Sequence, residues 1–134
     1  MSGGRISETS SEFLGRGVVT LAVQFRPNGT GAVTLSNSEK RKGLKSVTRT
    51  GVGSFTLQFD RNYTGLLSVS GMVQSTSATS TCWALNCGAF TANATGGSTL
   101  AVRLYANNVL SDMASGANEK VILSLNMSRS SVWK

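Results

Sequence analysis

At 134 residues the chain has the length of one domain, enough to bury about two thirds of the surface its unfolded form exposes, without disulfide or metal staples. Hydrophobic residues make up 40% and charged residues only 14%, against roughly 25% charged in an average soluble protein. Ser, Thr, Asn and Gly fill the difference, the composition of short strands joined by turns. The 13 basic and 6 acidic residues leave a net charge of +7, with no histidine. That balance suits an acidic partner (nucleic acid, an anionic protein surface or a membrane) or serves solubility alone, and the missing histidine removes Ser-His and Cys-His nucleophile pairs.

Residues 1–16 form a polar arm without periodicity, Gly3-Gly4 followed by a Ser/Thr/Glu stretch and the isolated apolar pair Phe13-Leu14. Such a segment is expected to be extended and to depend on a partner, or on the domain's own sheet edge, for order. The lack of an apolar signal core at the start, and of any run near ~20 apolar residues, leads to the expectation of synthesis in a cytoplasm. Cys82 and Cys87 are then expected as thiols. The remaining residues, 17–134, read as a single β domain.

Residues 17–26 alternate cleanly, with Val19, Leu21, Val23 and Phe25 on one face, and predict a strand. Pro27-Asn28-Gly29-Thr30 is a turn, after which residues 31–35 read as a short return strand and 36–43 as a polar loop holding Lys40-Arg41-Lys42. The strongest pattern is residues 45–59. There Val47, Thr48 and Thr50 suit one arm of a hairpin, Gly51-Val52-Gly53 the reversal, and Phe55, Leu57 and Phe59 the buried face of the second arm.

Beyond the turn Asp60-Arg61-Asn62-Tyr63, residues 66–73 predict a strand with Leu67, Val69 and Val73 on one face and Leu66, Ser68, Ser70 and Met72 on the other. Residues 74–81 read as a loop or weak edge strand, 82–85 as a strand carrying Trp83, and 86–99 as a polar connection turning at Gly96-Gly97. Strands follow at 100–105 and 121–127, joined by a long connection with room for one helical turn around Val109 to Met113. About eight short strands without sustained helical periodicity predict an all-β antiparallel sandwich or jelly-roll-like barrel with an extended amino-terminal arm.

Chemistry is sparse. Two cysteines without nearby acidic residues make no zinc site, and neither a Walker loop nor a strand–Gly-x-Gly–helix unit is present. Asp60 reads as a turn residue and no other carboxylate ends an apolar strand, so no catalytic pair, cofactor or metal is expected, and the chain does not read as an enzyme. Lys40, Arg41, Lys42 and Lys45 are the one concentrated charge, but no stacking aromatic or groove-reading helix accompanies them. They read as a solvated loop or a contact for an acidic protein surface rather than a nucleic-acid site.

The turn at residues 28–31, the hairpin Ser46-Val-Thr-Arg-Thr-Gly-Val-Gly-Ser-Phe-Thr-Leu57, the segment Tyr63-Thr-Gly-Leu-Leu-Ser-Val69 and a final strand running into Ser128-Arg-Ser-Ser-Val132 together resemble small capsid decoration (cement, or head auxiliary) proteins of tailed bacteriophages. The resemblance covers most of residues 17–132. It implies a β-rich body on the outer capsid surface of the virion, bridging major capsid protein subunits, often as a homotrimer and commonly attached through a terminal arm. The interface candidates are then Arg5, Phe13, Leu14 and Arg16 in the arm, the cluster Lys40, Arg41, Lys42 and Lys45, and Trp133 near the other terminus. No small-molecule substrate, membrane or nucleic acid is expected as partner. A tail or fibre adaptor of the virion and a basic nucleic-acid-binding β-barrel are the alternative readings. A carbohydrate-binding sandwich would want a row of exposed aromatics, hard to supply from 7% of the chain.

Overall fold

Phe55, Leu57 and Phe59, alternating with Ser54, Thr56 and Gln58, are each at most 1% exposed and face inward from the middle of the molecule. They occupy one strand of a computed structural model that describes residues 17–40, 42–76, 81–93 and 95–128. In chain order the elements are β1 (Val18–Phe25), α1 (Asn37–Lys40), β2 (Leu44–Gly51), β3 (Ser54–Phe59), β4 (Gly65–Gln74), β5 (Trp83–Thr91), β6 (Thr99–Ala106), β7 (Val109–Leu110) and β8 (Lys120–Ser128). One antiparallel sheet has the order β1-β8-β4, the other β2-β3-β6-β5 with β7 added on β6. The two sheets form a β-sandwich.

The alternating patterns of β1, β3, β6 and β8 meet in its interior. Val23, Phe25, Leu123, Leu125 and Met127 from one sheet pack with Phe55, Leu57, Leu100 and Leu104 from the other. Burying each such side chain contributes about 1.5–3 kcal/mol. The Phe25 and Phe55 rings lie 5.2 Å apart at 57°, a tilted aromatic pair that suits their quadrupoles.

Several local expectations give way to tertiary packing. Residues 31–35 form no strand. The turn before them is tied to Met113, whose carbonyl accepts the Gly29 N–H at 2.8 Å, and β1 pairs instead with β8 along its whole length. Four inward apolar residues on β8 bury more surface than the short local return could. Within the anticipated polar loop, Ser36 and Glu39 build a capping box. The Ser36 N–H donates to Glu39 Oε1 at 2.8 Å and the Glu39 N–H to Ser36 Oγ at 3.3 Å, starting the single turn α1.

In β4 a bulge between Leu66 and Ser68 shifts the register. Leu66 therefore turns toward the core while Leu67 is 56% exposed, the reverse of the simple alternation. β5 runs on to Thr91, where a connection was expected, because β6 supplies it with main-chain partners up to Thr99. Around residue 109 the chain forms no helical turn. Asn107 and Asn108, at φ +51° and +70°, make a tight reversal that returns the chain as β7. Cys82 and Cys87 carry free thiols.

Arg49, inside the Val-Thr-Arg-Thr-Gly stretch, is structural. Its Nε and Nη2 donate to Asp112 Oδ1 and Oδ2 at 2.9 and 2.8 Å, and Asp112 Oδ1 also accepts the Gly53 N–H at 3.0 Å. This bidentate pair straps the β2–β3 turn to the segment after β7. The Arg49 guanidinium and the Gly53 N–H hold the Asp112 carboxyl below the usual carboxylate range. A lowered folded pKa contributes stability above the unfolded value of about 3.9 and loses it as pH falls through the folded value. Asp112→Asn is therefore expected to lower stability at pH 7 and to flatten its decline below about pH 4, as read from urea unfolding at a series of pH values.

Two glycines separate backbone strain from crowding. Gly29 (φ +56°) has nothing within 4 Å of where a Cβ would sit, whereas at Gly97 (φ +97°) a Cβ would overlap the Phe59 carbonyl oxygen. Gly29→Ala is expected to cost about 1 kcal/mol, the left-handed strain alone. Gly97→Ala is expected to cost more than about 3 kcal/mol. Denaturation midpoints of the two variants test the difference.

Candidate partner-binding surface

Three loops converge at one end of the sandwich and are hydrogen-bonded to one another. The Asp60 N–H donates to the Gly43 carbonyl at 3.0 Å, and the Ser98 N–H to the Arg61 carbonyl at 3.1 Å. Ser98, fully buried, also accepts the Tyr63 N–H through its hydroxyl at 3.2 Å. Phe59 and Tyr63 meet edge to face with centroids 6.0 Å apart.

The basic cluster sits on this frame. Lys40 lies in α1, and the Gly43 N–H closes back on its carbonyl at 3.2 Å. Lys42 follows two residues later and its N–H donates to the Glu39 carbonyl at 3.2 Å, so the charges ride on a hydrogen-bonded turn rather than a loose loop. Lys45 is exposed at the bulge where the β2 register shifts. Arg41 lies outside the described residues, as do Arg5, Phe13, Leu14, Arg16 and Trp133.

Lys42 and Arg61 flank the largest of the described cavities, an open trough of about 550 Å³ running along β1 from Val19 to Ala22, with Gly43, Asp60 and Tyr63 completing its walls. Arg61 comes from the loop after β3, so its approach to Lys42 is a product of the fold. The sequence signal for it, a turn after the most apolar strand, carries no hint of a cation partner. Neither Lys42 nor Arg61 makes an ion pair among the described residues, where Arg49–Asp112 is the sole pair.

The outer face of the three-stranded sheet is chemically the opposite. Thr20, Asn126 and Ser68 form one hydrogen-bonded row across it, with Thr20 Oγ1 donating to Asn126 Oδ1 at 2.7 Å and Asn126 Nδ2 to Ser68 Oγ at 2.8 Å. The next rows, Ala22–Ser124–Ser70 and Gln24–Ile122–Met72, also carry no charge. Met72 is 71% exposed. Among the described residues no group of three or more acidic or cysteine side chains is placed to hold a metal ion. No described helix is long and apolar enough to cross a membrane.

If the trough presents free positive charge, Lys42→Gln and Arg61→Gln should each elute from a cation exchanger at lower salt than the parent, and the double variant at lower salt still. Stability should stay within about 0.5 kcal/mol of the parent, as for other exposed substitutions. Comparison of the chain with known proteins finds no matching family model, no matching curated protein and no matching solved structure.

Proposed function

We propose that this chain is a structural virion protein that seats on the outer surface of a tailed-bacteriophage capsid and stabilises the shell by bridging major capsid subunits. The observation that carries the reading is a sandwich whose β1 edge, unpaired among the described residues, is flanked by two cations, an arrangement suited to holding another chain. Its interior is apolar, and its only described ion pair straps two loops together. The three uncharged rows of the outer face, with Met72 and Ile122 among them, support self-association into a trimer, because like-charged copies meet there at low electrostatic cost. Many weak symmetric contacts on a shell add up by avidity, so no one contact need be tight.

Nucleic acid fits the same end less well. Tyr63, the aromatic at the trough, is only 3% exposed and offers no stacking surface.

Co-sedimentation with empty capsids tests the proposal. The full chain is expected to pellet with the shells at moderate salt, and removal of residues 1–16 is expected to reduce the bound fraction. Unchanged binding after truncation would move the contact onto the sandwich. Failure of the full chain to pellet, or a salt-steep shift of nucleic acid in a mobility assay, would overturn the reading.

A further inference from the structure

We propose that the open edge of β1 is a strand-docking site that takes an extended acidic segment of a partner protein, held by main-chain hydrogen bonds to Thr20 and Ala22 and flanked by Lys42 and Arg61. The inference rests on the reading of this chain as a clamp for other proteins and names how one contact is made.

Two open sheets have four long edges, none of which pairs with a further described strand, and they differ in what lies beside them. The β2 edge faces residues 30–33 across a cavity of about 380 Å³. The edges of β4 and β5 approach each other across a smaller cavity of about 340 Å³ between Val69, Gly71 and Leu85. The β1 edge instead borders the 550 Å³ trough.

The direction of its hydrogen-bonding groups follows from one bond. The Thr64 N–H donates to the Ser128 carbonyl at 2.7 Å, so the main chain of Ser128 faces β4. Alternation along β8 then turns Met127 and Leu125 toward β1, where they pair with Val19 and Leu21. The N–H and C=O groups of Thr20 and Ala22 consequently point away from the sheet, into the trough.

Natural edge strands are usually guarded by proline, an inward charge or a bulge. β1 has none of these: its sequence is Val-Val-Thr-Leu-Ala-Val-Gln-Phe and its register with β8 is unbroken over all 8 residues. Half-buried Val19 and Leu21 add apolar surface beside the free groups. Asp60 is the one carboxylate on the walls, against two cations. An incoming strand at about 3.4 Å per residue would span Thr20 to Ala22 with three residues and reach the flanking charges with a few more. Main-chain bonds with charge complementarity describe an acidic extended segment.

The probe is a capped decapeptide of alternating glutamate and valine, compared with its lysine–valine counterpart and with a fully N-methylated version. In the free full-length chain the Thr20 and Ala22 amides should exchange hydrogen as fast as exposed loops. Saturating glutamate–valine peptide should slow both at least tenfold, and the other two peptides should not. The double variant Lys42→Glu/Arg61→Glu should lose the glutamate–valine peptide and gain the lysine–valine one.

Absence of binding, or binding that leaves the Thr20 and Ala22 amides fast, would overturn the proposal. So would a glutamate–valine peptide that binds the double variant equally well. Amides already slow in the free chain and released by removing residues 1–16 would also overturn it, identifying the chain's own amino-terminal segment as the occupant. Capsid co-sedimentation is scored separately: peptide failure with intact shell binding removes only the docking mode, and peptide binding without shell binding removes only the virion role.

Discussion

The apolar seam between the two sheets, centred on Phe25 against Phe55, is the constraint on which the other features depend. Each inward residue of β1, β3, β6 and β8 gains by meeting its counterparts from the opposite sheet, and none gains from its own strand alone. The seam therefore forces long-range pairing, first residues against last, since β1 finds its hydrogen-bond partner in β8. Gly71 shows how tight the fit is. A Cβ there would lie 2.7 Å from side-chain carbons of both Leu123 and Leu85, so a larger residue would have to displace leucines that close this flank of the core.

A seam made only of apolar side chains leaves the polar work to the ends of the sandwich. The buried polar residues Glu39, Ser98 and Glu119 all sit in α1 or connecting segments, and each is hydrogen-bonded there. Glu119, for example, accepts the Ser75 hydroxyl at 2.8 Å and the Thr76 N–H at 2.9 Å. Buried carboxylates satisfied in this way cost little and stiffen the loops they bind. At the cation-bearing end it is the Glu39 and Ser98 bonds that fix the loops.

The same arrangement shapes the electrostatics. Glu39, Asp112 and Glu119 are turned to internal hydrogen bonds, while Lys40, Lys42, Lys45 and Arg61 remain exposed. The surface an approaching partner meets is thus more positive at one end than a uniform spread of the net charge would make it. The largest of the described cavities lies there too, against a regular strand edge that no described strand pairs. In the proposed docking mode, charge steers the encounter and main-chain hydrogen bonds supply the holding interaction.

The two periodic patterns most legible in the amino-acid sequence, at β1 and across the β2–β3 hairpin, identified the strand class, the sandwich and the buried face of β3, because a period of two survives wherever one face is apolar. Gly96-Gly97 as a turn and Lys40 and Lys42 as exposed charge were legible for equally local reasons. What residues 31–35 and 107–113 do was decided elsewhere: by β8 as the better partner for β1, and by two asparagines in left-handed backbone. Leu66 and Leu67 exchanged faces at a bulge that no local pattern announces. The trough was likewise invisible, since Arg61, Lys42 and the open edge of β1 become neighbours only when the sheets close. Local periodicity determined most of the buried faces; only the pairing of distant strands, driven by shared apolar burial, decided that the β1 edge, unpaired among the described residues, lies beside Lys42 and Arg61.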